Sequence, residues 1–414
     1  MMPARQRLLL PARWRHWSGF ALGGALLITF THRSFAADDG AEPSADNQSL
    51  LQMSGPLAFA AKPLSVDASP LGDIKVSAVG TGLAQWGTHS VLGERSAIGD
   101  LDNGQIIVQK NDGVIQFLVQ AGVYSFPTLG LPYMRAGKTT QDFYGPVPQA
   151  FVKLMLDDHW SILAGKIPSL GGGENTFTYQ NANIERGLLW SQTSSISRGA
   201  QINYAADALS AGLAWTDGFY SNHYSWLSGT ASYALDSANS LTVIGAANLQ
   251  ATSVSTIAAP LAQNNSQIYN LIYTYKSGPL TLSPYLQVTR VPKAPWIGLA
   301  SNANTRGAAL LASYNFDPGA KIGDVDMSGV SVALRAEYIL ARSQDALDAP
   351  ILLYGPISSA WSLTVTPTYR FGPAFARAEL SHVRAASASS GAIFGKDGSK
   401  SEQSRALIEV GFLY

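Results

Sequence analysis

The carboxyl-terminal stretch Gln403-Ser-Arg-Ala-Leu-Ile-Glu-Val-Gly-Phe-Leu-Tyr414 decides the fold class of this chain. Every second residue, counted back from the end, is apolar: Tyr414, Phe412, Val410, Ile408 and Ala406. The opposite face of the strand carries Glu409 and Arg405. Chain ends normally fray into solvent, so an end on an aromatic residue within a strand is unusual. A transmembrane antiparallel β-barrel requires this pattern, with apolar residues toward lipid and polar residues toward the lumen.

This last strand also predicts two partners. Its apolar face should contact outer-membrane lipid. We further expect the aromatic end of the strand to be a barrel-assembly signal, read by the barrel-assembly machinery; its residues are Val410, Phe412 and Tyr414.

The amino-terminal residues predict export through a signal peptide at 1–36. Four arginines and no acid precede a mostly apolar run from Trp17 to Phe30, and Ser34-Phe35-Ala36 offers small residues for cleavage after Ala36. The run is too short to span a bilayer as a helix, which needs about 20 residues. A retained amphipathic anchor is the alternative interpretation.

Composition narrows the class of protein further. Residues 1–36 hold five of the 28 basic residues and no acid, which leaves 23 basic against 28 acidic residues after cleavage. There is no basic excess to suggest nucleic acid, and no cysteine for a disulfide or a zinc-thiolate site. Charged residues are 14% of the chain, against about 25% in soluble domains. Because no other apolar run could form a spanning helix, these values favour a membrane β-barrel.

Three regions follow from the pattern along the chain. We expect the signal peptide at 1–36, a flexible amino-terminal segment rich in Ala, Ser, Pro and Asp at 37–70, and a barrel at 71–414. About sixteen strands are predicted, with fourteen or eighteen as the margin: 74–86, 105–111, 114–126, 148–156, 159–168, 197–206, 209–216, 227–235, 240–249, 266–276, 280–290, 305–316, 329–341, 359–371, 374–385 and 403–414.

Short and long connections alternate between these strands. Tight turns such as Asp112-Gly113 and Gly372-Pro373 separate long loops, for example 87–104 and 169–196. Short periplasmic turns and long extracellular loops are typical of outer-membrane barrels. The connection at 317–328 is long for a periplasmic turn, so it should hold a bulge or extend the neighbouring strands.

A soluble β-sandwich is the rival fold, because alternation with a period of two fits any half-buried strand. The terminal aromatic residue and the alternating loop lengths favour the barrel. Pro284 and Pro367 count slightly against these strands, since proline cannot donate to the ladder.

The third long loop, 169–196, is the candidate constriction. Gly171-Gly172-Gly173 permits a sharp turn away from the barrel wall. We expect this loop to fold inward, so that Glu174, Glu185 and Arg186 line the pore. An ordinary exposed loop with solvated charges is the alternative.

Charged residues on the polar faces of the strands are the second set of candidate pore-lining residues: Lys153, Arg335, Glu337, Arg370, Arg377, Glu379, Arg405 and Glu409. Arg335 and Glu337, like Arg377 and Glu379, are two residues apart on one strand, so each pair should be close. Arg405 and Glu409 need partners across the sheet. These charges either hold the wall rigid or contact solute directly.

Signals of catalysis are weak. Gly165-Lys166-Ile167 is not a phosphate-binding loop, because Trp160 stands in place of the first glycine and Ile167 in place of the Ser or Thr. The histidines after the signal peptide, His89, His159, His223 and His382, show no metal-ligand spacing. Ser381 and His382 point to opposite faces of a strand, which suits a lipid hydrolase badly. We therefore predict no enzyme activity, no cofactor and no metal.

Aromatic residues are frequent near the predicted strand ends. An aromatic girdle at the membrane interfaces is the simplest interpretation. Phe219, Tyr220, Tyr224 and Trp226 lie in one loop and offer a second one, the stacking of sugar rings.

Residues 159–190 resemble a region of the β-barrel porin family of Gram-negative outer membranes, the general porin-like proteins. The resemblance rests on His159-Trp-Ser-Ile-Leu-Ala-Gly-Lys-Ile-Pro-Ser-Leu-Gly-Gly-Gly-Glu-Asn175 and on Asn181-Ala-Asn-Ile-Glu-Arg-Gly-Leu-Leu-Trp190. It implies a porin that lets small hydrophilic solutes diffuse passively, and a homotrimer. The rival is a non-conducting surface barrel, an adhesin or scaffold, plugged by its loops or by residues 37–70.

Overall fold

A computed structural model of the protein describes residues 49–60, 63–70, 72–343 and 349–414. The expected signal peptide at 1–36 and residues 37–48 lie outside the described residues. None of the described helices is long and apolar enough to cross a membrane.

Sixteen antiparallel strands close into one barrel, because the last strand pairs with the first strand of the barrel. A short strand, β1 (Leu64–Asp67), precedes them and pairs with the first of them. The small hairpin of β14 (Lys321–Ile322) and β15 (Val325–Asp326) lies between two of them in the chain. The barrel strands are β2 (Asp73–Gly87), β3 (Ala97–Lys110), β4 (Ile115–Tyr124), β5 (Gln149–Met155), β6 (Trp160–Pro168), β7 (Ile196–Ala206), β8 (Leu209–Thr216), β9 (Trp226–Ala234), β10 (Asn239–Asn248), β11 (Gln267–Ser277), β12 (Leu280–Val291), β13 (Ala303–Asn315), β16 (Val330–Ser343), β17 (Ser359–Phe371), β18 (Ala374–Ala386) and β19 (Glu402–Leu413).

The predicted barrel class and the sixteen strands are confirmed. Fifteen of the predicted strands end within two residues of the observed bounds. The exception is β3, which begins at Ala97 and not at residue 105. Gly99, Asp100 and Asp102 gave that stretch the composition of a loop. The strand continues through them, with a register shift opposite Thr81 and Gly82.

The connection at 317–328 neither holds a bulge nor extends its neighbouring strands, so that prediction was wrong. It forms the hairpin of β14 and β15. The short turns lie at the same end of the barrel, and Asp236 shows how one is closed. Its carboxylate accepts hydrogen bonds from the amides of Ala238 and Asn239, and these bonds, with one from the Asn239 side chain, hold the pKa of Asp236 below its ordinary value.

The two prolines inside strands are accommodated by gaps in the ladder. Pro284 lies in a stretch of β12 where pairing with β11 is interrupted between Tyr285 and Leu282. Pro367 lies in the equivalent gap between β17 and β18. Both prolines point outward from the barrel.

The two faces of the last strand divide as predicted. Ile408, Val410 and Phe412 are about half exposed on the outside of the barrel, whereas Arg405 and Glu409 are buried inside it. The apolar core of this protein also lies inside the barrel. Side chains of the inserted loops, such as Phe177 and Trp190, pack there against inward-facing wall residues.

Candidate functional site

The loop between β6 and β7, residues 169–195, fills the middle of the lumen. We call it the lumen loop. Almost every side chain in it is buried. It turns inward at its glycines, and Gly173 lies so close to the wall that a Cβ there would sit 2.7 Å from Cε1 of Tyr285. The lumen loop therefore runs inward from the wall.

Two carboxylates of the wall bind the backbone of the lumen loop. Glu379 on β18 accepts the amides of Ile184 at 2.6 Å and Glu185 at 2.8 Å. Glu337 on β16 accepts the amides of Leu188 at 2.9 Å and Leu189 at 3.1 Å. The two pairs of amides are four residues apart, so each carboxylate holds one turn of the loop. Hydrogen bonds to a charged group contribute about 1.5–3 kcal/mol each, which makes these two glutamates the main anchors.

Ion pairs fix the acids of the loop to arginines of the wall. Glu174 lies 2.7 Å from Arg335, and Glu185 lies 2.8 Å from Arg405. Arg335 also contacts Glu337 at 3.4 Å. All five side chains are almost fully buried. Burial removes the competing water, so a charge that lost its partner here would be strongly destabilising.

A second charged cluster lies beneath the first. Arg377 contacts Glu409, its direct neighbour across the sheet, at 2.5 Å. Among the ion pairs of the described residues, Arg377 has this partner and not Glu379 two residues away. Thr178 of the lumen loop donates to Asp102 at 2.6 Å and has its hydroxyl 2.8 Å from Glu409. The loop thus joins β3 to β19.

The remaining candidate residues have other surroundings. Arg186 is fully buried, with Nη1 donating to Ile184 O at 3.2 Å and its guanidinium 5.7 Å from the Trp190 ring. Lys153 faces the lumen, and no acid forms an ion pair with it in the part of the chain described. Arg370 donates to Pro56 O at 2.9 Å.

Residues 49–60, which we call the N-terminal segment, enter the lumen from the end that holds the short turns. The amides of Ser54 and Gly55 donate to Gln180 O at 2.8 and 3.0 Å, and Gln180 returns a bond to Gln52 O at 2.8 Å. Leu51 and Leu57 are buried in the lumen core. The segment therefore packs against the side of the lumen loop that faces the short turns.

Several of these residues were not among the candidates from sequence. Asp102 falls in the predicted loop 87–104, and Glu94, which contacts Arg405 at 3.0 Å, belongs to the loop before β3. Thr178 and the N-terminal segment carry no charge that would mark them. The sequence does offer a weak signal for Asp102. If β3 is taken to begin at Ala97, alternation along the strand places Asp102 on its inward face.

The residues considered for catalysis and sugar stacking do not assemble a site. Ser381 is inside the barrel and donates to Glu185, whereas His382 is outside and contacts Ser404 at 2.9 Å. Phe219 and Trp226 are buried against each other, which leaves them unavailable to a sugar. Within the described ranges, no three His, Cys, Asp or Glu side chains are grouped to hold a metal.

Comparison with known proteins agrees with the fold. A search of curated proteins gives no match. The outer membrane channel DcaP of Acinetobacter baumannii superposes with a TM-score of 0.56 at 10% identity, over 85% of this chain and 100% of that chain. The anion-selective porin from Comamonas acidovorans gives 0.53 at 12% identity, over 82% and 99%. Salmonella typhi OmpF, in a complex with daunomycin, gives 0.50 at 12% identity, over 85% and 100%. At these identities the likeness shows the fold alone.

A family model matches most of the chain, residues 84–414, and therefore covers the barrel from β2 to the last residue. The match includes the lumen loop and every wall glutamate and arginine that binds it. The protein is a porin-type barrel of the outer membrane, and it belongs to the family described as "putative beta-barrel porin-2, OmpL-like".

Proposed function

We propose that this barrel is a porin through which small hydrophilic solutes diffuse passively, and that the lumen loop controls its opening. The conformation described above is the closed one. The observation that carries the proposal is the double anchoring of the loop by Glu337 and Glu379. A loop held through its backbone by wall carboxylates can leave as a unit and exchange these bonds for water.

The chemistry of the lumen supports a channel over a purely structural barrel. Buried ion pairs are weak contributors to stability, because desolvation offsets much of their attraction. A lumen that only had to be filled would be more stable with apolar contacts. The wall here is instead lined with polar groups, such as Gln105, Gln120 and Thr364, that would be hydrated once the loop moved.

The proposal includes the absence of enzyme activity and the partners expected from the sequence. Transport needs no bond to be made or broken, and the wall residues are arranged to bind backbone amides rather than a reacting group. We extend the proposal to a homotrimer, to surrounding outer-membrane lipid and to insertion by the barrel-assembly machinery through Val410, Phe412 and Tyr414.

A non-conducting surface barrel is the second candidate, and one observation favours it. The lumen loop and the N-terminal segment together occupy the lumen. The two candidates differ in what happens when the loop is removed. A conducting porin should then stay open, whereas a barrel that only displays its loops should still lack a continuous aqueous path through its lumen.

Planar-bilayer recording tests the proposal. Residues 37–414 would be refolded with the native loop and with residues 173–190 replaced by a short Gly-Ser linker. We expect infrequent steps from the native chain and stable, uniform steps from the shortened one. Folded barrels that show no steps in either form would overturn the porin proposal and favour the surface barrel.

A further inference from the structure

The charges of the lumen are distributed unevenly around the wall. The charged side chains that bind the lumen loop belong to β16, β18 and β19, with Asp102 on β3. The inward faces of β9 to β13 carry polar residues such as Asn270 and Gln287 beside apolar ones such as Ile272, and the charged residues of these strands, Lys276, Arg290 and Arg306, are exposed. We call the wall of β9 to β13 the uncharged half.

Two cavities lie on the uncharged half, between the lumen loop and the wall. The upper cavity, toward the long loops, measures about 20 Å³ and is lined by Ser169, Gly171, Ser228, Ile244 and Asn270, among others. The lower cavity, toward the short turns, measures about 60 Å³, and its lining includes Gly173 and Glu174 of the lumen loop with Ser54, Ser283 and Ser313. A cavity needs roughly 10–15 Å³ to hold one water molecule, so both cavities admit water but no larger solute.

One layer of side chains separates the two cavities. Asn270 of the upper cavity and Ser283 of the lower one lie on adjacent strands, and the pair Ile272–Tyr285 falls between them in the register. Ile272 and Tyr285 are almost fully buried. The Tyr285 ring packs against Gly173 of the lumen loop, where no side chain intervenes. This layer is the barrier between the two ends of the lumen along the uncharged half.

Asn270 indicates what kind of solute this side would accept. Its side chain is buried, and both its amide nitrogen and its oxygen lack a hydrogen-bond partner within the described part of the chain. It faces the upper cavity beside serine and threonine hydroxyls. A donor and an acceptor on one uncharged group match a solute hydroxyl, which can accept and donate. An ion would find no counter-charge on this wall, because Glu174 at the lower cavity belongs to the lumen loop and is paired with Arg335.

We propose that solutes cross the barrel along the wall of β9 to β13, that Tyr285 is the movable barrier on this route, and that the route selects small uncharged hydroxylated compounds. This inference rests on the proposed porin function and specifies its path and solute class. Because the Tyr285 ring packs against Gly173, release of the lumen loop frees this ring to move aside and opens the route along the uncharged half.

Swelling of proteoliposomes in isotonic arabinose, a small uncharged polyhydroxy compound, tests the route. Tyr285→Ala removes the barrier and should speed swelling several-fold over the native chain. Tyr269→Ala is the matched control, because it deletes the same side chain from the outer face of the neighbouring strand β11, where Tyr269 is half exposed. It should leave the rate unchanged. Swelling that is no faster with Tyr285→Ala than with Tyr269→Ala, while the loop-shortened barrel admits arabinose, would overturn the route and leave the porin function standing.

A second variant keeps Tyr285 in place. Because the chain has no cysteine, Asn270→Cys introduces a single thiol into the upper cavity. A bulky uncharged thiol reagent should then reduce arabinose entry by more than half. The same treatment of Asn203→Cys, an inward asparagine of β7 outside the proposed route, should have no effect. Equal block at both positions, or block at Asn203→Cys alone, would contradict the route. If even the loop-shortened barrel admits no arabinose, the porin function itself fails, and the route with it.

Discussion

The backbone amide of Glu185 donates a 2.8 Å hydrogen bond to the carboxylate of Glu379, although both side chains are acidic. The Glu185 carboxylate points away and pairs with Arg405 at 2.8 Å. One residue of the lumen loop thus presents a partial positive charge to an acid of the wall and a full negative charge to a base. Moving the loop must break both contacts together, which favours two discrete positions over gradual displacement.

Loss of Arg335 should loosen the lumen loop. Arg335→Ala leaves the buried carboxylates of Glu174 and Glu337 without their shared cation. Removing one partner of a buried pair typically costs about 3–5 kcal/mol, so the midpoint of urea unfolding in detergent should fall. Arg342→Ala, at the exposed end of the same strand, is the control. Equal midpoints for the two variants would show that the pairs do not hold the loop.

A methyl group at Gly187 should displace the loop for steric reasons. A Cβ at this position would collide with the Glu337 carboxylate, which lies there to accept the amides of the next two residues. Gly187→Ala should therefore increase channel openings in planar bilayers. Gly171→Ala is the control in the same loop, since a Cβ there meets no atom within 4 Å. If both variants behave as the native chain, the contact between Gly187 and Glu337 does not control opening.

Removal of the N-terminal segment should open the lower end of the lumen. A chain beginning after residue 60 loses the bonds to Gln180 and to Arg370. A chain beginning after residue 48 keeps them and serves as the control. We expect a higher open probability for the first chain alone. The same open probability in both would mean that residues 49–60 do not restrict the channel.

The aromatic end of the chain should matter for assembly. Phe412 lies on the outside of β19 against Gly80 of β2, at the seam that closes the barrel. Phe412→Ala should reduce the amount of folded, heat-modifiable barrel in the outer membrane. Phe371→Ala removes an equally exposed outward phenylalanine from a strand that does not form the seam. A comparable loss with Phe371→Ala would indicate a general effect of lipid contact rather than an assembly signal.

The strands could be predicted from sequence because alternation along a strand is a local property. The pattern of Arg405, Glu409 and Phe412 needs no knowledge of the partner strand. The predicted start of β3 was wrong, because Gly99 and Asp100 have low strand propensity. The strand forms there nevertheless, since β2 pairs with these residues.

The partners of the charged residues could not be predicted in the same way. Spacing along β18 placed Arg377 beside Glu379, but Glu379 is occupied by two amides of the lumen loop and Arg377 by Glu409. These choices depend on the path of the loop through the lumen. The burial of the N-terminal segment could not be predicted either, because its composition is that of a flexible linker. Leu51 and Leu57 are buried by residues that are distant in the sequence.

The most direct test of the account is the single-channel open probability of a Glu337→Gln/Glu379→Gln double variant, compared with the native chain and with the surface variant Glu402→Gln. Each substitution keeps the size of the side chain but replaces one acceptor oxygen by a donor that faces a loop amide. We expect the double variant to stay open far longer than the native chain, and Glu402→Gln to match the native chain. A folded double variant that stays as closed as the native chain, while the loop-shortened barrel conducts, would contradict the anchoring of the loop by these two carboxylates.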